Sequence, residues 1–169
     1  YNPTGQDVEL DGYAWPNVSN SNPFPGSYEY WNGFNDGHVL AAGDVYILAH
    51  PDADAAILAE ADQTFPYLPD GNAGFALVKG TEADFETIDM FANYEGDNDG
   101  IGSWTVCGDA SVTTDNVTLV RKSAFQGNPN PSGEDLASED GITVFTEGSL
   151  AAGVCEWEIY PADDFTHLG

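Results

Sequence analysis

Positive charge is almost missing from this chain. Three Lys and Arg residues stand against 29 Asp and Glu, a formal net charge of −26 over 169 residues. That scarcity excludes a phosphate-binding surface, because affinity for nucleic acid comes largely from cations that displace condensed counterions. Nucleic acid and anionic lipid are therefore not expected partners. Long apolar runs are lacking as well: the most apolar stretch, VLAAGDVYILA, is broken by Gly43 and Asp44, well short of the ~18 residues of a membrane-spanning helix. No membrane insertion is expected. Cysteine is limited to Cys107 and Cys155, which read either as one disulfide in an oxidising compartment or as two buried thiols. Pairing them would contribute about 4 kcal/mol in the chain-entropy model. The first residue is Tyr1 and no signal-like segment follows, which reads as a mature processed chain or a fragment.

What is present is material for one core. Apolar residues make up 41% of the chain, with four Trp, eight Tyr and nine Phe, enough for a single domain over 1–169. Self-repulsion among so many carboxylates favours external cations, so either calcium and high salt relieve it or the acidity reflects a saline habitat. Short β-rich runs recur: VELDGYAW, VYILA, AGFALV, TIDMFA, WTV, NVTLVRK, ITVF and EWEIY. Clusters of Gly, Pro, Asn and Asp separate them, as turns require. Seven or eight strands in one chain predict an all-β sandwich or barrel. One segment, HPDADAAILAEADQTF, breaks the pattern and predicts a short helix near 52–62, with Asp52 as its N-cap. The stretches 17–37 and 126–141 read as surface loops.

Candidate chemistry is sparse. Glu95, Asp97 and Asp99 alternate ahead of Gly100, like the oxygen-rich first half of a calcium loop. The second half is absent, since the twelfth position counted from Glu95 is Val106, so the alternative is a solvated turn. Tyr28, Tyr30, Trp31 and Phe34 fall in a predicted loop, where rings either stack on sugars or close one end of the core. His38, His50 and His167 have no zinc-like spacing. No nucleophile elbow or Walker loop occurs, and no Asp or Glu pair is singled out for glycoside hydrolysis. The sequence therefore reads as non-enzymatic and requires no cofactor; calcium is the one ion it invites. Asn17 and Asn116 open N-x-S/T sequons, which matter only in a host that glycosylates.

Several motifs occur in one order across nearly the whole chain: YNPTGQDVELDGYAW, LAAGDVYILAH, GNAGFALVKG with ETIDMF, GSWTVCG, TTDNVTLVRK and CEWEIYPADDFTHLG. Together they resemble the lamin-tail domain, an immunoglobulin-like β-sandwich, in its secreted bacterial branch. The resemblance implies an immunoglobulin-like fold and an architectural role for Arg121, which continues the apolar face of Val117 and Leu119 beyond the core. A guanidinium there would fork onto carboxylates, with Asp84, Asp89 and Glu158 as candidate partners and Lys122 pointing to solvent. The family carries a further strand ahead of the YNPT turn, whereas this sequence begins at Tyr1. That strand is expected to have been trimmed, cleaved or supplied by another molecule.

From these readings follow three functional expectations. The first is a non-enzymatic extracellular or cell-surface module, structural or adhesive, joined by β-strand complementation to copies of itself or to another extracellular protein. The second is an accessory domain of a secreted nuclease or other hydrolase. The third is calcium-dependent carbohydrate binding, with glycans as partners.

Overall fold

The structure is a computed structural model that describes residues 1–19, 27–68, 71–92, 102–107, 109–123, 136–138 and 155–167. Within them the chain is all-β and sandwich-like. The strands are β1 Val8–Glu9, β2 Tyr13–Ala14, β3 Asn17–Val18, β4 Val39–Leu40, β5 Leu48–Ala49, β6 Gln63–Thr64, β7 Gly74–Thr81 and β8 Asp84–Phe91. They continue with β9 Trp104–Val106, β10 Asp109–Thr113, β11 Val117–Arg121, β12 Leu136–Ser138 and β13 Trp157–Pro161. One helix, α1 Ala55–Glu60, interrupts them.

Its position corrects the sequence expectation by one half-turn. Asp54, not Asp52, is the N-cap, and its carboxylate accepts from the Ala56 amide at 2.8 Å. The Asp52 amide is occupied by His50 Nδ1 and the Ala53 amide by the His50 carbonyl, so a tight turn is completed before the helix starts.

The hairpin β7–β8 organises the domain. Its two strands pair antiparallel from Phe75↔Phe91 to Thr81↔Asp84, while β2 and β3 pair with β7 along its other edge. Alternation gives β7 two apolar faces. Ala76 and Val78 pack beneath Ala14, Tyr28, Trp31 and Phe85, whereas Phe75 and Leu77 face the opposite way, toward β11 and β13. A bulge lies in β8, because Leu77 pairs with Asp89 but Val78 pairs with Thr87. The extra residue, Ile88, lets two consecutive side chains reach the same side of the sheet.

The opposing layer is the antiparallel pair β11–β13, in register from Val117↔Pro161 to Arg121↔Trp157. Val117 and Leu119 turn inward as the alternation of NVTLVRK predicts. Trp157 meets Phe91 edge-on with ring centroids 5.6 Å apart, and a cluster of Ala92, Trp104 and Val106 seals this end of the core. Cys107 and Cys155 form a disulfide that ties the end of β9 to the start of β13.

The YNPT turn is built around Asn2, which is buried. Its Nδ2 donates to the carbonyls of Gln6, Leu40 and Ala41, while its Oδ1 accepts from the amide and hydroxyl of Thr4. This single amide pins the start of the chain to β4. The stretch 17–37 is not all loop, since β3 lies in it and bridges form at Ala14↔Gly33 and Asn17↔Tyr30. Likewise β12 falls inside 126–141, and β10 was not legible as a strand. The expected strand ITVF, at 142–145, lies outside the described residues.

Candidate functional site

Between the two layers the described residues leave space. A groove of about 750 Å³ is lined by Val8, Leu10, Leu40, Leu77, Ile88 and Trp157, with Asp89 and Arg121 in its wall. A smaller cavity of about 360 Å³ continues between Phe75, Phe91, Val117, Leu119 and Trp157. Interiors of folded domains are normally close-packed, with few voids larger than a water. Among the described strands β8 pairs only with β7, and β11 and β13 pair only with each other. Trp157 lines both spaces, and its buried indole Nε1 has no hydrogen-bond acceptor among the described residues. Leaving such a donor unsatisfied costs about 1–3 kcal/mol.

Arg121 crosses the groove wall. Its guanidinium binds Asp89 through both terminal nitrogens, at 2.5 Å to Oδ2 and 3.2 Å to Oδ1. Its Nε lies 3.0 Å from Glu156 Oε2, and its plane sits 5.1 Å from the Trp157 ring. Burial is the largest influence on this guanidinium and opposes its charge, but the hydrogen bond and charge of Asp89 and the charge of Glu156 outweigh it. The net effect holds its pKa above the ordinary arginine value. Of the three candidate partners Asp89 is the one found. Glu158 instead accepts from the Tyr160 hydroxyl at 2.7 Å, and Asp84 is exposed at the hairpin end. Glu156, only 1% exposed, was missed. A lone Glu beside a strand reads as surface, and nothing short of the tertiary fold reveals that it is buried against an arginine. Lys122 also departs from expectation: rather than standing free in solvent, its Nζ donates to the Cys155 carbonyl at 2.7 Å.

The four candidate binding aromatics separate. Tyr28 and Trp31 pack on Phe85 with centroids 5.9 and 5.2 Å away and cover one face of β7–β8. Phe34 stacks edge-on against Tyr46 at 4.9 Å and lines the groove. Tyr30 alone stays open, at 52% exposed. A residue the sequence reading passed over, Tyr67, is also open, at 75% exposed. The signal was available in FPYLP, an aromatic bracketed by prolines.

Glu95, Asp97 and Asp99 lie outside the described residues. Among the described residues no group of three or more His, Cys, Asp or Glu side chains gathers as a metal site. Asn17 is buried, with Nδ2 donating to Ser19 Oγ at 2.9 Å and Oδ1 accepting from Asn32 at 2.7 Å. A glycan on that nitrogen would be incompatible with this packing. Asn116 is exposed with φ +54° in the β10–β11 turn. His38 packs on Tyr46, His50 bonds the Pro66 carbonyl, and His167 stacks on Tyr160. No helix among the described residues is long and apolar enough to cross a membrane.

Comparison with protein-family models, with curated protein sequences and with solved structures gives no match to this chain.

Proposed function

We propose that the chain is a non-enzymatic structural or adhesive module of the extracellular space or cell surface, of lamin-tail type. Its inter-sheet groove takes an extended strand from a second copy, joining subunits into a filament or surface assembly. The observation that carries this reading is the apolar groove of about 750 Å³ between the layers, beside a strand β8 that among the described strands pairs only with β7. An inserted strand would place alternate side chains between the sheets and pair its backbone with β8. It would also bring carbonyl groups toward the unsatisfied Trp157 indole. The disulfide fits an oxidising compartment.

Two copies each carrying −26 repel one another, so assembly should need salt or a divalent cation such as calcium. The test is light scattering and negative-stain electron microscopy of the chain at low salt, at high salt and with added calcium, beside a Leu77→Trp variant that fills the groove. In a filled core such an enlargement costs about 1–3 kcal/mol; in this groove it should leave stability unchanged or raise it. Polymers that form with cations and are absent in Leu77→Trp support the reading. A monodisperse monomer under every condition overturns it and favours the accessory-domain alternative.

A further inference from the structure

We infer that Asn116 carries an N-linked saccharide and that Asn17, which opens the other usable sequon, does not. Asn2, Asn17, Asn116 and Asn130 are each followed two positions later by Ser or Thr. Pro3 and Pro131 occupy the middle position in two of these, which blocks transfer. Tertiary structure decides between the remaining pair.

Asn17 is 1% exposed, and its Nδ2 donates at 2.9 Å to the hydroxyl of Ser19, the third residue of its own sequon. Acceptor nitrogen and recognition hydroxyl are both spent inside the fold. Asn116 has the opposite setting. It is exposed at the tip of the β10–β11 turn beside an exposed Asp115, and its Nδ2 donates to that neighbour's Oδ1 at 2.6 Å. A contact between two solvated side chains is given up at little cost, because water replaces it.

The turn holds Asn116 out on a fixed base. Two residues before it, the Thr114 amide donates to the carbonyl of the fully buried Trp104 at 2.9 Å, and Thr114 Oγ1 accepts from the Trp104 amide at 3.0 Å. The same hydroxyl donates to the Gly71 carbonyl. Asn116 itself sits at φ +54°, a left-handed conformation that Asn tolerates better than most residues. Beyond it, Val117 and Leu119 line the cavity between the layers, so strand alternation puts Thr118 on the outer face, opposite Tyr160.

The saccharide donor is of the lipid-phosphate-linked class. Transfer forms the bond between the anomeric carbon and Asn116 Nδ2, breaks the anomeric C–O bond, releases the lipid phosphate and removes one proton from the amide nitrogen. The Cys107–Cys155 disulfide fits the oxidising compartments in which secreted chains are modified. A bulky, solubilising group at an exposed turn displaces no packed side chain.

The test is mass spectrometry of the chain isolated from its own cells and culture medium, first intact and then as peptides localised by electron-transfer fragmentation. The expected result is a mass above that of the sequence by whole sugar units, carried on Asn116 and absent from Asn17. Thr118→Val, which keeps the β-branched shape of a strand residue, and Asn116→Gly, which suits the left-handed φ, should each lose the increment completely. Thr118→Ser should retain it. The native peptide map decides the assignment even where a variant fails to fold. An unmodified Asn116 in the native chain, a sugar on Asn17, or an increment that survives Thr118→Val or sits on a hydroxyl group overturns it.

Discussion

Replacing Arg121 by Met should be the most damaging single change at the groove wall, and the reason is Glu156 rather than Asp89. The Glu156 side chain is 1% exposed and that of Asp89 25% exposed, so water can compensate Asp89 in part but not Glu156. Removing one partner from a buried ion pair costs about 3–5 kcal/mol. Arg121→Met should fall inside that range, and Asp89→Ala below it, near about 2 kcal/mol, because Glu156 remains beside the guanidinium. Set against a domain stability of about 5–15 kcal/mol, the first is severe. Urea denaturation followed by tryptophan fluorescence gives both numbers.

The same variant carries a pH signature. Without Arg121 the buried Glu156 carboxylate loses its counter-charge, and its folded-state pKa rises above the unfolded value. A carboxyl group with a raised folded pKa binds more protons when native, so its effect on stability worsens as pH increases. The deficit of Arg121→Met should therefore be larger at neutral than at mildly acidic pH, and Glu156→Gln added to Arg121→Met should recover most of it. A deficit below about 0.5 kcal/mol, or one that does not change with pH, would refute the ion-pair account.

Two further outcomes follow from the backbone. The disulfide spans a sequence separation of 48, so Cys107→Ser/Cys155→Ser should lose about 2–4 kcal/mol in urea titrations; a loss under 1 kcal/mol would mean that the unfolded chain is already restricted. Gly80 has φ +130°, and a Cβ there would sit 2.8 Å from the Phe85 Cα and closer still to the Asp84 carbonyl oxygen. Gly80→Ala should therefore cost more than about 1 kcal/mol and lower the thermal midpoint, and an unchanged midpoint would show that the hairpin relaxes without penalty.

Much of the fold was legible because local patterning and packing agree. GFALV and TIDMF read as β-rich runs bounded by turn residues, and they form the long hairpin at the centre of the fold. NVTLVR does the same with its inward set correct to the last residue. Elements of two residues, such as β3 and β4, have no periodicity to read. They exist because longer neighbours offer them a partner. The helix start slipped because the His50 ring and carbonyl take the Asp52 and Ala53 amides in a turn of their own, which leaves Asp54 to cap the helix.

The candidate sites followed the same rule. Asp89 was a candidate, but which carboxylate meets Arg121 depends on the bulge at Ile88, and an extra residue in one strand leaves no mark in a single sequence. The loop aromatics looked alike as letters. Two are partly covered by Phe85, one packs on Tyr46, and of the four only Tyr30 stays open.

By itself the sequence determined the class of chain: acidity, apolar alternation and turn residues are local or summed properties, and the last two suffice to make an all-β, sandwich-like fold. Tertiary structure decided everything that needs two distant segments in one place. The burial of Glu156 against Arg121 and the groove that the described residues leave between the sheets depend on register and layer spacing, which are set only when the whole chain packs.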